Sequence, residues 1–190
     1  RELRRTHPEN QDNRQSIPGV FTGPELYVRF EETGAFRPSA CMFMIKRDLL
    51  ETAHVRFEEG IIHEDLLFTM QVFPLAQRAA FENVSLYRRR MREGSTMTSP
   101  RGIKNIHGLF TVAQRLGEWF NANQNSFQQD FCAAFTHRLF DTWVLAARDV
   151  PTVDPDELMR YRETLTPEQR AAFNLHVLEL GIALHEEEPH

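Results

Sequence analysis

The sequence predicts an α+β first part followed by an all-α second part, with the change near residues 100–104. Three observations predict it. Before that point, apolar residues come in short runs broken by Pro and Gly. After residue 103 they recur at helical spacing to the end of the chain. Two helix-start signatures, Asp154-Pro155-Asp156-Glu157 and Thr166-Pro167-Glu168-Gln169, punctuate the second part. This divides the chain into a polar mobile segment at 1–18, a mixed region at 19–102 and a helical region at 103–190.

Residues 1–18 hold only Leu3 and Ile17 as aliphatics, among Arg, Asn, Gln, Glu and Pro, and predict a loop. Gly23-Pro24-Glu25 starts a short helix over about 24–33, with Gly34 as its stop. Residues 39–46 are apolar and bounded by Pro38 and Lys46-Arg47, which predicts a buried strand. A helix follows over 64–73, with Leu67, Phe68 and Val72 spaced to face a core; Pro74 ends or kinks it. Residues 79–83 and 85–92 are strand candidates separated by a turn near Asn83. In the helical region, Leu109, Val112, Ala113, Leu116 and Phe120 form one stripe. Phe127, Phe131, Phe135, Leu139 and Trp143 form a second, and Phe173, Val177, Leu180 and Leu184 a third.

The totals exclude several classes. A chain of 190 residues with 41% hydrophobic residues can bury a core, and its 15 Phe make that core aromatic-rich. A net charge of −5 argues against a nucleic-acid binder that works by bulk electrostatics. Cys41 and Cys132, the 2 cysteines, stand far apart and suit a reducing compartment. No run of 18 or more apolar residues occurs, so no transmembrane segment is expected. Arg1 is not an initiator residue and no signal peptide opens the chain. The sequence therefore reads as a fragment or processed form.

The stretch Gly60-Ile61-Ile62-His63-Glu64-Asp65-Leu66-Leu67-Phe68 carries the most chemistry. Two adjacent carboxylates open a helix there, and acids in a first turn stabilise almost any helix by about 0.3–1 kcal/mol. Downstream, Arg88, Arg89, Arg90, Arg92, Arg101 and Lys104 stand against one acid, Glu93. On a strand, Arg88, Arg90 and Arg92 share a face, and Gly94-Ser95-Thr96 follows. That pattern fits a diphosphate clamp. It also fits a solvated basic edge strand that blocks edge pairing. Asp154-Pro155-Asp156 matches a metal-binding Asp-x-Asp, but its position makes it a helix cap. The eight His show no metal-ligand spacing.

Taken in order, Phe36-Arg37-Pro38-Ser39-Ala40, Val55-Arg56-Phe57-Glu58-Glu59-Gly60, the His63-Glu64-Asp65 stretch and Leu86-Tyr87-Arg88 through Thr96 form a set. Over roughly residues 20–120, it resembles the acceptor-side, C-terminal half of inverting, nucleotide-sugar-dependent glycosyltransferases of family two. The resemblance implies that the first part is the second half of an A-type fold, a mixed-sheet remnant with packed helices. It implies transfer of a sugar from a nucleotide-diphosphate sugar to a glycan or lipid-linked acceptor hydroxyl, as in polysaccharide or cell-envelope synthesis. Asp65 is then the general base, with Glu64 beside it and His63 at the acceptor. Arg92 and Ser95, from the family's Arg-x-Gly-Ser motif, and Arg90 contact the donor diphosphate. A divalent Mg or Mn belongs with the family's N-terminal half, which carries the nucleotide-binding strands and the true Asp-x-Asp. Neither is present here, so the isolated chain is expected to be inactive. Expected surroundings are the cytoplasm, with the inner face of a membrane as an alternative.

The chain lacks the Trp-Asn-Lys that many relatives carry near Cys41-Met42-Phe43, and the helices past residue 120 match no part of the family. Those helices suit an acceptor-binding, homo-oligomerising or membrane-surface role. The rival class is a non-catalytic truncated module whose helical tail mediates protein association. A third is a nucleic-acid binder using Arg88 to Lys104, which the charge balance disfavours.

Overall fold

The computed structural model describes residues 16–84, 87 and 100–186. Eight α-helices organise them: α1 (Gly23–Glu32), α2 (Arg47–Ala53), α3 (Glu64–Val72), α4 (Ile103–Asn123), α5 (Gln129–Arg148), α6 (Pro155–Thr164), α7 (Pro167–Phe173) and α8 (Leu180–Glu186). A six-residue π-helical segment, Asn174–Glu179, joins α7 to α8.

The expected α+β architecture is overturned: the described residues form an all-helical protein without a sheet. Their β-structure is a single antiparallel bridge, where Phe21 and Ala79 exchange hydrogen bonds of 2.9 and 2.7 Å. The predicted strand at 39–46 is instead a 3-10 turn, Ala40–Met42, followed by extended chain that enters α2. The physical reason is that a short apolar run bounded by Pro does not reveal whether a partner strand exists. Its apolar side chains are satisfied by packing, with Phe43 against the largest core and Ala40 and Ile45 against a smaller one. The sequence reading also passed over α2. Apart from Tyr87, the strand candidate at 85–92 lies outside the described residues.

Elsewhere the local signals decide the elements. Thr22 caps α1 through a capping box with Glu25: Thr22 N–H donates to the Glu25 carboxylate at 2.8 Å, and Glu25 N–H donates back to Thr22 Oγ1. Asp154 accepts from Glu157 N–H at 3.0 Å at the start of α6. Thr166 and Gln169 form a capping box at α7. The Asp-x-Asp at 154–156 is thus a helix cap.

Helices α4 and α5 are joined by a short connection and run antiparallel, with Phe120 stacked on Phe135 near the connection and Phe110 edge-on to Trp143 far from it. Three apolar clusters result. The largest joins α1, α3, α4 and α5 through Leu26, Tyr27, Leu67, Met70, Leu116 and Phe135. The second gathers Ile106 and Phe110 of α4, Ala146 of α5, Leu158 of α6 and Phe173 and Val177 beyond it. The third sets Phe68 and Val72 of α3 against α2. The region before residue 102 and the helices after it therefore share one core.

Candidate functional site

The carboxylate pair sits where the sequence places it, in the first turn of α3, with both residues half-buried. His63 is the N-cap residue, and its backbone is left-handed, with φ 72° and ψ 16°. A non-glycine residue there is uncommon and carries a conformational cost. Its imidazole does not cap the helix. Thr69, one turn on, donates its hydroxyl to the Asp65 carbonyl at 2.8 Å and reaches the Pro38 carbonyl at 3.2 Å. That hydroxyl ties α3 to the segment that follows Phe36. Arg56 is engaged elsewhere, donating to the Leu50 and Val55 carbonyls and pairing with Glu51 at 3.2 Å.

Across from this turn lies the start of α4. The Ile62 carbonyl packs directly on Gly108: a Cβ at that glycine would lie 2.3 Å from the Ile62 oxygen. One turn earlier, Asn105 Nδ2 lies 3.5 Å from His63 Nε2, the outer limit of a hydrogen bond, while Gly102 N–H donates to its Oδ1 at 3.3 Å. Beside them Arg101 donates to both carboxylate oxygens of Asp149, at 3.2 and 3.3 Å. Asp149 is buried and terminates α5; Arg101 is half-exposed. Burial lowers the pKa of His63 below its ordinary value of 6.5, helped by the Arg101 charge and opposed by Asp149 and Glu64. The turn thus carries a neutral imidazole, two carboxylates and a held guanidinium.

Of the basic cluster, Arg101 and Lys104 are brought to this end of α4. Arg90, Arg92 and Ser95, the expected diphosphate contacts, lie outside the described residues. Among the described residues no group of three or more His, Cys, Asp or Glu side chains is arranged to hold a metal.

A concavity lies on the flank of α4 and α6. It is an open groove of about 300 Å³ lined by Ile103, Lys104, His107 and Tyr161. His107 Nδ1 and the Tyr161 hydroxyl are 3.0 Å apart, with the rings edge-on. Burial pushes the Tyr161 phenol up to about 12. Asp65 does not line this groove.

Sequence reasoning missed Asn105, Gly108 and Asp149. Two of them had a signal. Gly108 stands inside a helical pattern, where glycine is costlier than alanine unless packing requires it. Asp149 puts a negative charge at a helix C-terminus, where the dipole disfavours it unless a cation answers it.

No described helix is long and apolar enough to cross a membrane. The chain matches no protein-family model, no curated protein and no solved structure.

Proposed function

We propose that this chain is the acceptor-side part of an inverting glycosyltransferase that uses a nucleotide-diphosphate sugar. The observation that carries the reading is the convergence of two segments far apart in sequence. The His63-Glu64-Asp65 turn and the Arg101 end of the basic cluster meet at one place, with Arg101 held by buried Asp149. Asp65 takes the proton of the acceptor hydroxyl as that oxygen bonds to the anomeric carbon and the bond to the diphosphate breaks. Its position in the first turn of α3 sets it at the positive end of the helix dipole. Glu64 and His63 border the acceptor, and Arg90, Arg92 and Ser95 take the charge of the departing diphosphate. No step is assigned to a metal ion.

In the full-length enzyme, Asp65→Asn should lower turnover about a hundredfold or more with donor affinity little changed, as loss of general-base catalysis does. Steady-state kinetics with radiolabelled nucleotide sugars checks this. Turnover within a few-fold of the parent would return the pair to simple helix capping.

A second reading, a non-catalytic association module, is favoured by the exposure of Phe140, Leu175 and Ile182 on the helical part, each more than half accessible (58%, 56% and 58%). Sedimentation should then give a dimer that Phe140→Glu converts to monomer.

A further inference from the structure

We infer that Gly108 and Asn105 of α4 are positioning residues for the proposed general base, acting through the left-handed turn at His63. This rests on the glycosyltransferase reading for its functional consequence but not for its structural content.

The argument begins at the backbone. Asp65 points where α3 points, and α3 begins immediately after His63. The direction of its first turn is therefore set by the φ and ψ of His63, which lie in a region that L-residues seldom adopt. A strained conformation persists only where its surroundings over-determine it. Here the surroundings are on α4. The Ile62 carbonyl approaches Gly108 so closely that no side chain fits between them. Asn105, on the preceding turn and the same side of α4, lies at the imidazole, its own amide oxygen engaged by Gly102 N–H. The carbonyl before the His63 α-carbon and the side chain on it thus both meet the same helix. That helix is long and is buried along Ile106, Leu109, Val112 and Leu116, so it gives a rigid reference. Gly117, on the same helix, makes a useful contrast. A Cβ there meets only Leu139 Cδ2 at an ordinary 3.9 Å. Of the two glycines in α4, only Gly108 is needed for space.

The consequence is that α4 does more than stand behind the region before residue 102. It sets the bearing of Glu64 and Asp65, so α4 cannot be exchanged or shifted without moving the proposed base.

The test uses Gly108→Ala, Asn105→Ala, His63→Gly and the control Gly117→Ala in the full-length protein. Two readouts are independent of any reaction. The first is the NMR signals of the His63 ring and of the amides of residues 62–66; Gly108→Ala and Asn105→Ala should move them, and Gly117→Ala should not. The second is a double-mutant cycle in stability between Gly108→Ala and His63→Gly. Glycine at 63 frees the turn to yield, so the cycle should be non-additive, with His63→Gly recovering part of what Gly108→Ala loses. Should Gly108→Ala fail to fold, Asn105→Ala alone decides the NMR arm. In the kinetic arm, Asn105→Ala and Gly108→Ala should lower kcat about tenfold or more while leaving the donor KM within about twofold, as misplacement of a reacting group does. Unmoved signals at 62–66, or strict additivity in the cycle, overturn the inference. Moved signals without any sugar transfer by the parent protein uphold the positioning and overturn the glycosyltransferase reading instead.

Discussion

His63 shows how much one residue's surroundings matter. Its ring is half-buried near Asn105, beside the Arg101–Asp149 pair and next to Glu64. Burial disfavours the charged ring first, Arg101 adds to that, and Asp149 and Glu64 oppose it. Because the folded pKa lies below the ordinary 6.5, the unfolded chain takes up a proton at a higher pH than the folded one. The stability that neutral His63 supports is therefore complete above about 6.5 and is lost as the pH falls through the window below it. Melting temperatures measured from pH 7.5 down to 5 should fall less steeply for His63→Asn than for the parent. Parallel curves would mean that the ring titrates alike in both states.

At the scale of elements, the helix starts were legible because capping is local chemistry. Thr166, Pro167 and Gln169 are within three residues of one another, and a side chain that answers an N–H three positions away needs nothing from the rest of the molecule. Thr166→Ala should cost about 1 kcal/mol, the usual loss of an N-cap, read as a lower urea midpoint with an unchanged slope. No change in the midpoint would mean that α7 is held by Phe173 and its neighbours alone. The strand at 39–46 was misread for the complementary reason. Whether residues 39–46 pair with another strand depends on what lies alongside, and what lies alongside is α2 and α3, not a sheet edge. The carboxylate pair falls on the legible side of this divide, because the first turn of α3 is a local feature. Its neighbours Asn105, Gly108, Arg101 and Asp149 come from residues 36 or more positions away, and spacing along the chain does not encode such contacts.

For the whole molecule, the decisive feature is that one core crosses the change in sequence character near residue 103. Phe135 of α5 is fully buried, stacked on Phe120 at 4.6 Å and close to Trp119 and Phe131. Through Phe131 this stack reaches Tyr27 of α1. Phe135→Ala should therefore destabilise the entire molecule by about 3–5 kcal/mol in a single transition, as large-to-small changes in a packed aromatic core do. Two separate transitions in calorimetry would show that the regions before and after residue 103 fold as independent units. Glu31 and Arg138 reinforce the same junction from its rim. The guanidinium donates to both carboxylate oxygens at 2.8 Å and lies over the Phe36 ring. Burial works against the charge of Arg138, but the bonds to Glu31 outweigh it and raise its pKa. Removing it by Arg138→Ala should cost roughly 2–3 kcal/mol, since Glu31 would be left largely buried without its partner.

What the sequence by itself determined is what depends on neighbours within a turn or two. That covers the stripes of α4 and α5, the caps of α6 and α7, the start of α1 and the placing of Glu64 and Asp65 at a helix N-terminus. Helical periodicity and capping are short-range, so the order of residues expresses them directly. Only the tertiary structure decided that the described residues of the first part are helical rather than sheet-containing, that Ile62 rests on Gly108, and that buried Asp149 holds Arg101 beside His63. Those outcomes turn on which surfaces meet when the core closes. A strand needs a partner, a buried acid needs a cation and a close approach needs a missing side chain; each condition is met by residues far away along the chain.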